Sequence, residues 1–203
     1  MTHINGILLS AGFSSRMQVF KPLQEKNGVP MIVQVARKML QVCHTVTVVT
    51  GFRSQDVARA LTEFFPGAGS KTLDDRLLVV HNREFEKGMF TSLQTGLKNL
   101  PDTDWMLYHF VDQPALPEAF YHAFVAQIES GVQWIQPRFQ GKKGHPILMH
   151  RSLFPLILNA DADSNLRQVT KEHEIRIKIW DCSFREILFD LDTREDLERW
   201  RTL

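Results

Sequence analysis

At 203 residues the chain can bury a sizeable core without a disulfide or metal staple, and at roughly 150 residues per domain it reads as a single domain spanning 1–203. Its 43% hydrophobic and 23% charged residues exclude a collagen-like, coiled-coil or wholly disordered chain. Lysine and arginine (24) balance aspartate and glutamate (23), which excludes wholesale coating of nucleic acid and a polybasic membrane anchor, while leaving room for a local phosphate pocket.

The chain opens with Met1-Thr2-His3 and runs straight into Ile4-Asn5-Gly6-Ile7-Leu8-Leu9, with no basic region and no signal-length apolar run. No stretch approaches the roughly 20 apolar residues of a membrane span, so a cytoplasmic protein with no membrane and no nucleic-acid partner is expected. Short β-branched or apolar runs at Ile7-Leu8-Leu9, Val46-Thr47-Val48-Val49, Leu77-Leu78-Val79-Val80 and Trp105-Met106-Leu107-Tyr108-His109-Phe110-Val111 suit a parallel sheet buried on both faces. Helical periods separate them. Pro30 opens one carrying Met31, Ile32, Val35, Ala36, Met39 and Leu40; Ser54 caps a second with Val57, Leu61 and Phe64. Phe90, Leu93, Leu97 and Leu100 mark a third, and Pro117 opens a fourth with Phe120, Phe124 and Ile128. Strand and helix alternating four times predict a doubly wound α/β sheet.

The last third is less regular and reads as a small α+β appendage. Val132-Gln133-Trp134-Ile135 and Pro146-Ile147-Leu148-Met149 look like strands around a polar loop, 138–145. Ile175, Ile177 and Ile179 alternate as in a half-buried strand, and Ile187-Leu188-Phe189 predicts one more. Thr193, with Asp196 three residues on, opens a final helix. Cys43 and Cys182 have no framework or metal spacing and read as small core residues of a reducing compartment.

The first loop, Ser10-Ala11-Gly12-Phe13-Ser14-Ser15-Arg16-Met17-Gln18-Val19-Phe20-Lys21, leaves the carboxyl end of a buried strand. A small-residue turn there can bring backbone N–H groups against phosphate. Ser14 and Ser15 add hydroxyl donors, and Arg16 and Lys21 can lie along a polyphosphate. The spacing matches neither a P-loop nor a dinucleotide fingerprint, and a solvated connection is the plain alternative. Asp112 ends the fourth apolar run, where ligands of parallel sheets bind, although aspartate before Gln113-Pro114 also suits a tight turn.

Five stretches in register resemble the nucleotidyltransferases that activate phosphorylated acceptors, and in particular the molybdenum cofactor cytidylyl/guanylyltransferase (MobA/MocA-like) branch. Residues 9–23 are similar to its L-x-[AG]-G-x-S-x-R-M loop. Asn82, Gly88, Met89 and Ser92 match its second pattern. Val111-Asp112-Gln113-Pro114, Gly144-His145-Pro146-Ile147-Leu148 and Asp190-Leu191-Asp192-Thr193-Arg194-Glu195-Asp196-Leu197 match the rest. The chain departs from the branch at Gln18 and Val111, where glycine is expected, at Arg194, where proline is expected, and at Ala162-Asp163-Ser164-Asn165-Leu166-Arg167, where the branch's acceptor stretch reads G-D-x-G-A-R.

The resemblance implies a Rossmann-like three-layer α/β/α fold and Mg²⁺-dependent transfer of a nucleotide from CTP, with GTP less favoured, to the phosphate of molybdopterin with release of pyrophosphate. The acceptor is already ionised, so the protein must chiefly bring anions together and stabilise charge on the leaving group. The implied catalytic residues are Arg16, Lys21 and Asp112. Nucleotide contacts fall to Leu9, Ser10, Ala11, Gly12, Ser14, Ser15, Arg16, Lys21, Asn82, Gly88 and Ser92. Asp112, with Asp190 or Asp192, would hold the metal, and His145 and Arg167 the acceptor. Ser92 as an ordinary helix residue and Asp192 as helix-start electrostatics are the plain alternatives. Ala11, rather than a second glycine, is more like the cytidylyl form. Molybdoenzymes or their chaperones are implied partners. The altered 162–167 stretch keeps a different phosphorylated acceptor open, and Gln18 and Val111 keep open a nucleotide-binding regulator without turnover.

Overall fold

The computed structural model describes residues 2–13, 17, 19–65 and 76–203. Strand β1 (Ile4–Ser10) is buried throughout, and a tight Asn27-Gly28 hairpin joins β2 (Glu25–Lys26) to β3 (Val29–Pro30). Then follow α1 (Met31–Met39), β4 (Val46–Thr50), α2 (Ser54–Phe64), β5 (Leu77–His81), α3 (Met89–Lys98), β6 (Trp105–Phe110) and α4 (Glu118–Val125). The appendage comprises β7 (Trp134–Phe139), β8 (Lys142–Lys143), β9 (Ile147–His150), α5 (Phe154–Asn159), α6 (Leu166–Glu172), β10 (Ile177–Asp181) and α7 (Arg194–Thr202).

Among the described residues the main sheet has eight strands in the order β10-β7-β9-β6-β1-β4-β5, with β8 paired to β7. β5, β4, β1 and β6 run parallel; β9 is antiparallel to both β6 and β7, and β10 is parallel to β7. Alternation along β1 divides the core. Ile4 and Leu8 pack with α1, α2, α4 and α7 on one face, and Ile7 and Leu9 pack with α3, α5 and α6 on the other. The result is a Rossmann-like three-layer α/β/α fold, as the resemblance implies, with the α/β sheet that the strand–helix alternation predicts.

Several local expectations are corrected. Ser54 is the first residue of α2, not its cap; Arg53 takes that place in a left-handed conformation (φ 53°) and turns its guanidinium onto Asp56. Pro30 and Pro117 stand just before their helices, which end ahead of Leu40 and Ile128, and Leu100 likewise lies beyond α3. The 138–145 stretch is not simply a loop: Arg138 and Phe139 close β7, and Lys142 and Lys143 pair with them across a Gln140-Gly141 turn. Arg185–Leu188 form a 3-10 turn, not a strand, because their backbone is used elsewhere: the Ile187 carbonyl accepts the His145 N–H at 3.3 Å. Thr193 caps α7 as expected, accepting the Asp196 N–H at 3.1 Å while the Asp196 carboxylate accepts the Thr193 N–H at 2.9 Å. Both cysteines are free, Cys43 buried and Cys182 half-buried. Among the described residues no helix is long and apolar enough to cross a membrane.

Candidate active site

Parallel strands β1, β4, β5 and β6 end at one edge of the sheet, so the segments leaving them converge there. The segment after β1 is anchored by the buried side chains of Met17 and Phe20. The Phe52 N–H, just past β4, donates to the Ala11 carbonyl at 3.1 Å. Gly51 makes this approach possible: a Cβ there would lie 2.6 Å from that carbonyl and 2.6 Å from Phe85. After β5, Asn82 is buried and fully engaged. Its amide nitrogen donates to the hydroxyls of Thr91 and Ser92, each at 3.0 Å, and its oxygen accepts the Glu84 N–H at 2.9 Å. The segment then enters α3 through Gly88, whose φ of 115° is a conformation that L side chains rarely adopt.

These segments enclose a cavity of about 360 Å³ lined by Leu9, Ser10, Ala11 and Gly12 on one side and Lys21, Gly88, Ser92 and Asp112 on the other. Eight of the sequence-predicted nucleotide and catalytic residues therefore meet. The Ser10 hydroxyl is buried with no hydrogen-bond partner. Asn82 does not line the cavity; its carboxamide is used in shaping the loop that does. Ser14, Ser15, Arg16 and the departure at Gln18 lie outside the described residues.

Lys21 reaches the floor of the cavity from a 3-10 turn, Lys21–Leu23, and is itself buried. Its ammonium donates to Asp192 at 2.9 Å and stands 3.6 Å from Asp112. Asp112 is placed by β6 and by its own carbonyl, which accepts the Leu191 N–H at 2.9 Å. That bond sets Asp190 and Asp192 on either side of it in the chain. Burial raises the Asp112 pKa above the usual carboxylate range; Lys21 pulls it down, while Asp190 and Asp192 push it up. Asp190 is also raised, chiefly by burial, against the Gln113 side chain that donates to it at 2.7 Å.

A second cavity, of about 900 Å³, adjoins the first and shares Gly88, Met89, Phe110 and Asp112 with it. Asp190, His145 and Arg167 line it, together with Tyr108, Trp134 and Lys143. His145 stands at the entry to β9, as the resemblance of 144–148 implies, edge-on to Phe110 with ring centres 4.7 Å apart. Burial lowers its pKa to about 4, so it is neutral near pH 7, and its Nδ1 has no partner. Arg167 is exposed on α6, and Asn165 caps that helix by accepting the Gln168 N–H at 3.0 Å. Val111, where glycine is expected, is buried against the core and also lines the first cavity.

Sequence reasoning gave no role to Gln113, Lys38 or Phe85. The carboxamide next to Asp112 was a legible signal for Gln113, and the aromatic within the polar 82–88 stretch was one for Phe85. Nothing in the sequence points from Lys38 to residues 76 and 78 positions away, where its hydrogen bonds fall.

Residues 6–177 match the MobA-like NTP transferase domain. The molybdenum cofactor cytidylyltransferase of Escherichia coli (strain K12) is 23% identical over 197 residues, which cover 97% of this chain and 94% of that one. Among solved structures, a nucleotidyl transferase from Methanothermobacter thermautotroptrophicus (Mth528) superposes with a TM-score of 0.79 at 21% identity, over 98% of this chain and 96% of the other. Rv0371C of Mycobacterium tuberculosis H37Rv, solved as a complex with manganese, superposes with a TM-score of 0.71 at 19% identity, over 99% of each chain. The domain match spans most of the chain and both margins of the first cavity, and the protein belongs to the MobA-like NTP transferase family as a nucleotidyltransferase.

Proposed function

We propose that the enzyme couples CTP, or less favourably GTP, to the phosphate of molybdopterin and releases pyrophosphate, acting as one cytoplasmic domain over 1–203. The observation that carries this reading is the meeting of two cavities at Asp112: one is the size of a nucleotide's polar half and the other is large enough for a bulky acceptor. The CTP preference is supported by Ala11 and by the named activity of the E. coli relative.

In this reading the triphosphate lies along residues 10–12, the N-terminus of α3 and the cations Arg16 and Lys21. The unpartnered Ser10 hydroxyl is a ready donor to it. Among the described residues no three His, Cys, Asp or Glu side chains form a metal cage. The donor set fits magnesium nonetheless, because that ion takes one or two carboxylates and leaves its other positions to water and phosphate. Asp112, Asp190 and Asp192 act on one another, and they supply the negative charge that such an ion would neutralise. Asp112 and Asp192 would hold it, with Asp190 beside them. When bound, it screens the phosphates from one another. Lys21 would then turn to the leaving pyrophosphate, and His145 and Arg167 would meet the acceptor. Partner molybdoenzymes or chaperones would receive the product.

Asn165, used here as a helix cap, favours a second reading in which the acceptor is a different phosphorylated molecule. Incubating the protein with each of the four NTPs, Mg²⁺ and molybdopterin, and measuring pyrophosphate, tests both readings. CTP with molybdopterin should give the fastest release. Release only with another phosphorylated acceptor would favour the second reading, and silence with every NTP and acceptor would leave a nucleotide-binding regulator.

A further inference from the structure

The segment that carries Asp112 is a turn without a strand partner of its own, and it is held from two sides. On one side are the C-terminal residues: the Leu191 N–H donates to the Asp112 carbonyl, and the Gln113 amide donates to Asp190 at 2.7 Å and to the Ile187 carbonyl at 3.4 Å. On the other side is Lys38, near the end of α1. Its ammonium donates to the carbonyls of Pro114 at 2.7 Å and Leu116 at 2.8 Å. Lys38 is half-buried, and burial lowers its pKa to about 8 against the pull of Glu118. Withdrawing an ammonium from water is costly, and an apolar side chain of similar length would fill the same space more cheaply. The amine does what an apolar chain cannot: it satisfies two carbonyls in a turn whose Pro114 has no N–H to give.

We propose that Lys38 is a positioning residue that clamps the 112–116 turn from the α1 side and so holds the Asp112 carboxylate at the junction of the two cavities. It does not touch Asp112 itself and acts through the backbone. The proposal rests on the reading of Asp112 as a metal-holding carboxylate, and the test separates the two ideas.

Lys38→Met and Lys38→Arg are compared with the unaltered chain by amide hydrogen exchange and by Mn²⁺ titration followed by electron paramagnetic resonance. Lys38→Met should speed exchange across 111–117 about tenfold while β1 and β4 keep their rates, and weaken Mn²⁺ binding about tenfold. Lys38→Arg, whose fork can still reach both carbonyls, should recover most of each effect. Unchanged exchange in the turn, or a uniform acceleration across the whole chain, overturns the clamp. If Lys38→Met does not fold, Lys38→Gln, which keeps one donor, carries the same readouts. Asp112→Asn isolates the metal reading: equal Mn²⁺ binding by this variant and the unaltered chain overturns that reading, while the exchange data still decide the clamp.

Discussion

Lys21 is the single ammonium within 4 Å of Asp112 among the described residues, and it is shared with Asp192. The Asp112 pKa is raised chiefly by burial; Lys21 pulls it down, and Asp190 and Asp192 push it up. Such a cluster is poor for stability and useful for function, since any entering cation relieves it. Asp112→Asn should therefore cut pyrophosphate release by at least about 100-fold, on the scale of a lost charge-stabilising group, while leaving the melting temperature level or raised. Lys21→Met should lose a similar 100- to 1,000-fold in turnover. It should also lower the melting temperature, because two partly exposed carboxylates then lose the ammonium they share. Paired melts and pyrophosphate assays read both variants. A fall in stability for Asp112→Asn would mean that the carboxylate is structural.

The elements that were legible in the sequence are those whose residues decide their own conformation. β1, β4 and β6 are near-continuous apolar runs, and their place in a buried parallel sheet follows from that alone, whereas β5, with a similar run, ends the sheet among the described residues and is mostly half-buried. The capping box at Thr193 is equally local. Ile187-Leu188-Phe189 misleads because its apolar character fits a strand, whereas its conformation is set by the end of the β7–β8 hairpin, some 40 residues earlier in the chain. The hydrogen bonds that tie the Asn82 carboxamide to Thr91, Ser92 and Glu84 were likewise not legible in the sequence. The link between β6 and α4 is another long-range feature, with a measurable consequence. His109 is fully buried; its Nδ1 accepts the Phe110 N–H, so Nε2 carries the proton toward the Tyr121 hydroxyl at 2.8 Å. Burial lowers its pKa to about 3. As pH falls below about 6.5 the unfolded chain takes up a proton that the folded chain refuses, so stability falls from there toward pH 3. His145, lowered to about 4, acts in the same direction. Denaturant unfolding between pH 7 and pH 4 should show a shallower loss for His109→Gln than for the unaltered chain; equal slopes would mean that His109 is protonated in the fold.

At the scale of the whole molecule, the C-terminal segment closes the site. The family match ends at residue 177, yet Asp190, Asp192 and α7 all follow it. α7 returns the chain to the first third of the sequence: Trp200 is buried with the residues of α1, and its carbonyl accepts from Lys26 at 3.0 Å. Between that anchor and the Leu191–Asp112 hydrogen bond, Asp192 is held against Lys21. The acids are thus positioned by a helix whose only evident sequence signals are its cap and the spacing of Leu197 and Trp200. Trp200→Ala should cost about 3–5 kcal/mol of stability, the usual loss for a buried aromatic, and Trp200→Phe much less. The more informative measurement is Mn²⁺ affinity at a temperature where both variants remain folded. If α7 holds Asp192 in place, Trp200→Ala weakens Mn²⁺ binding as Asp192→Asn does, and combining the two adds little further loss. Fully additive losses would mean that α7 stabilises the fold without placing the carboxylate, and that the two acids reach the site from 189–192 alone.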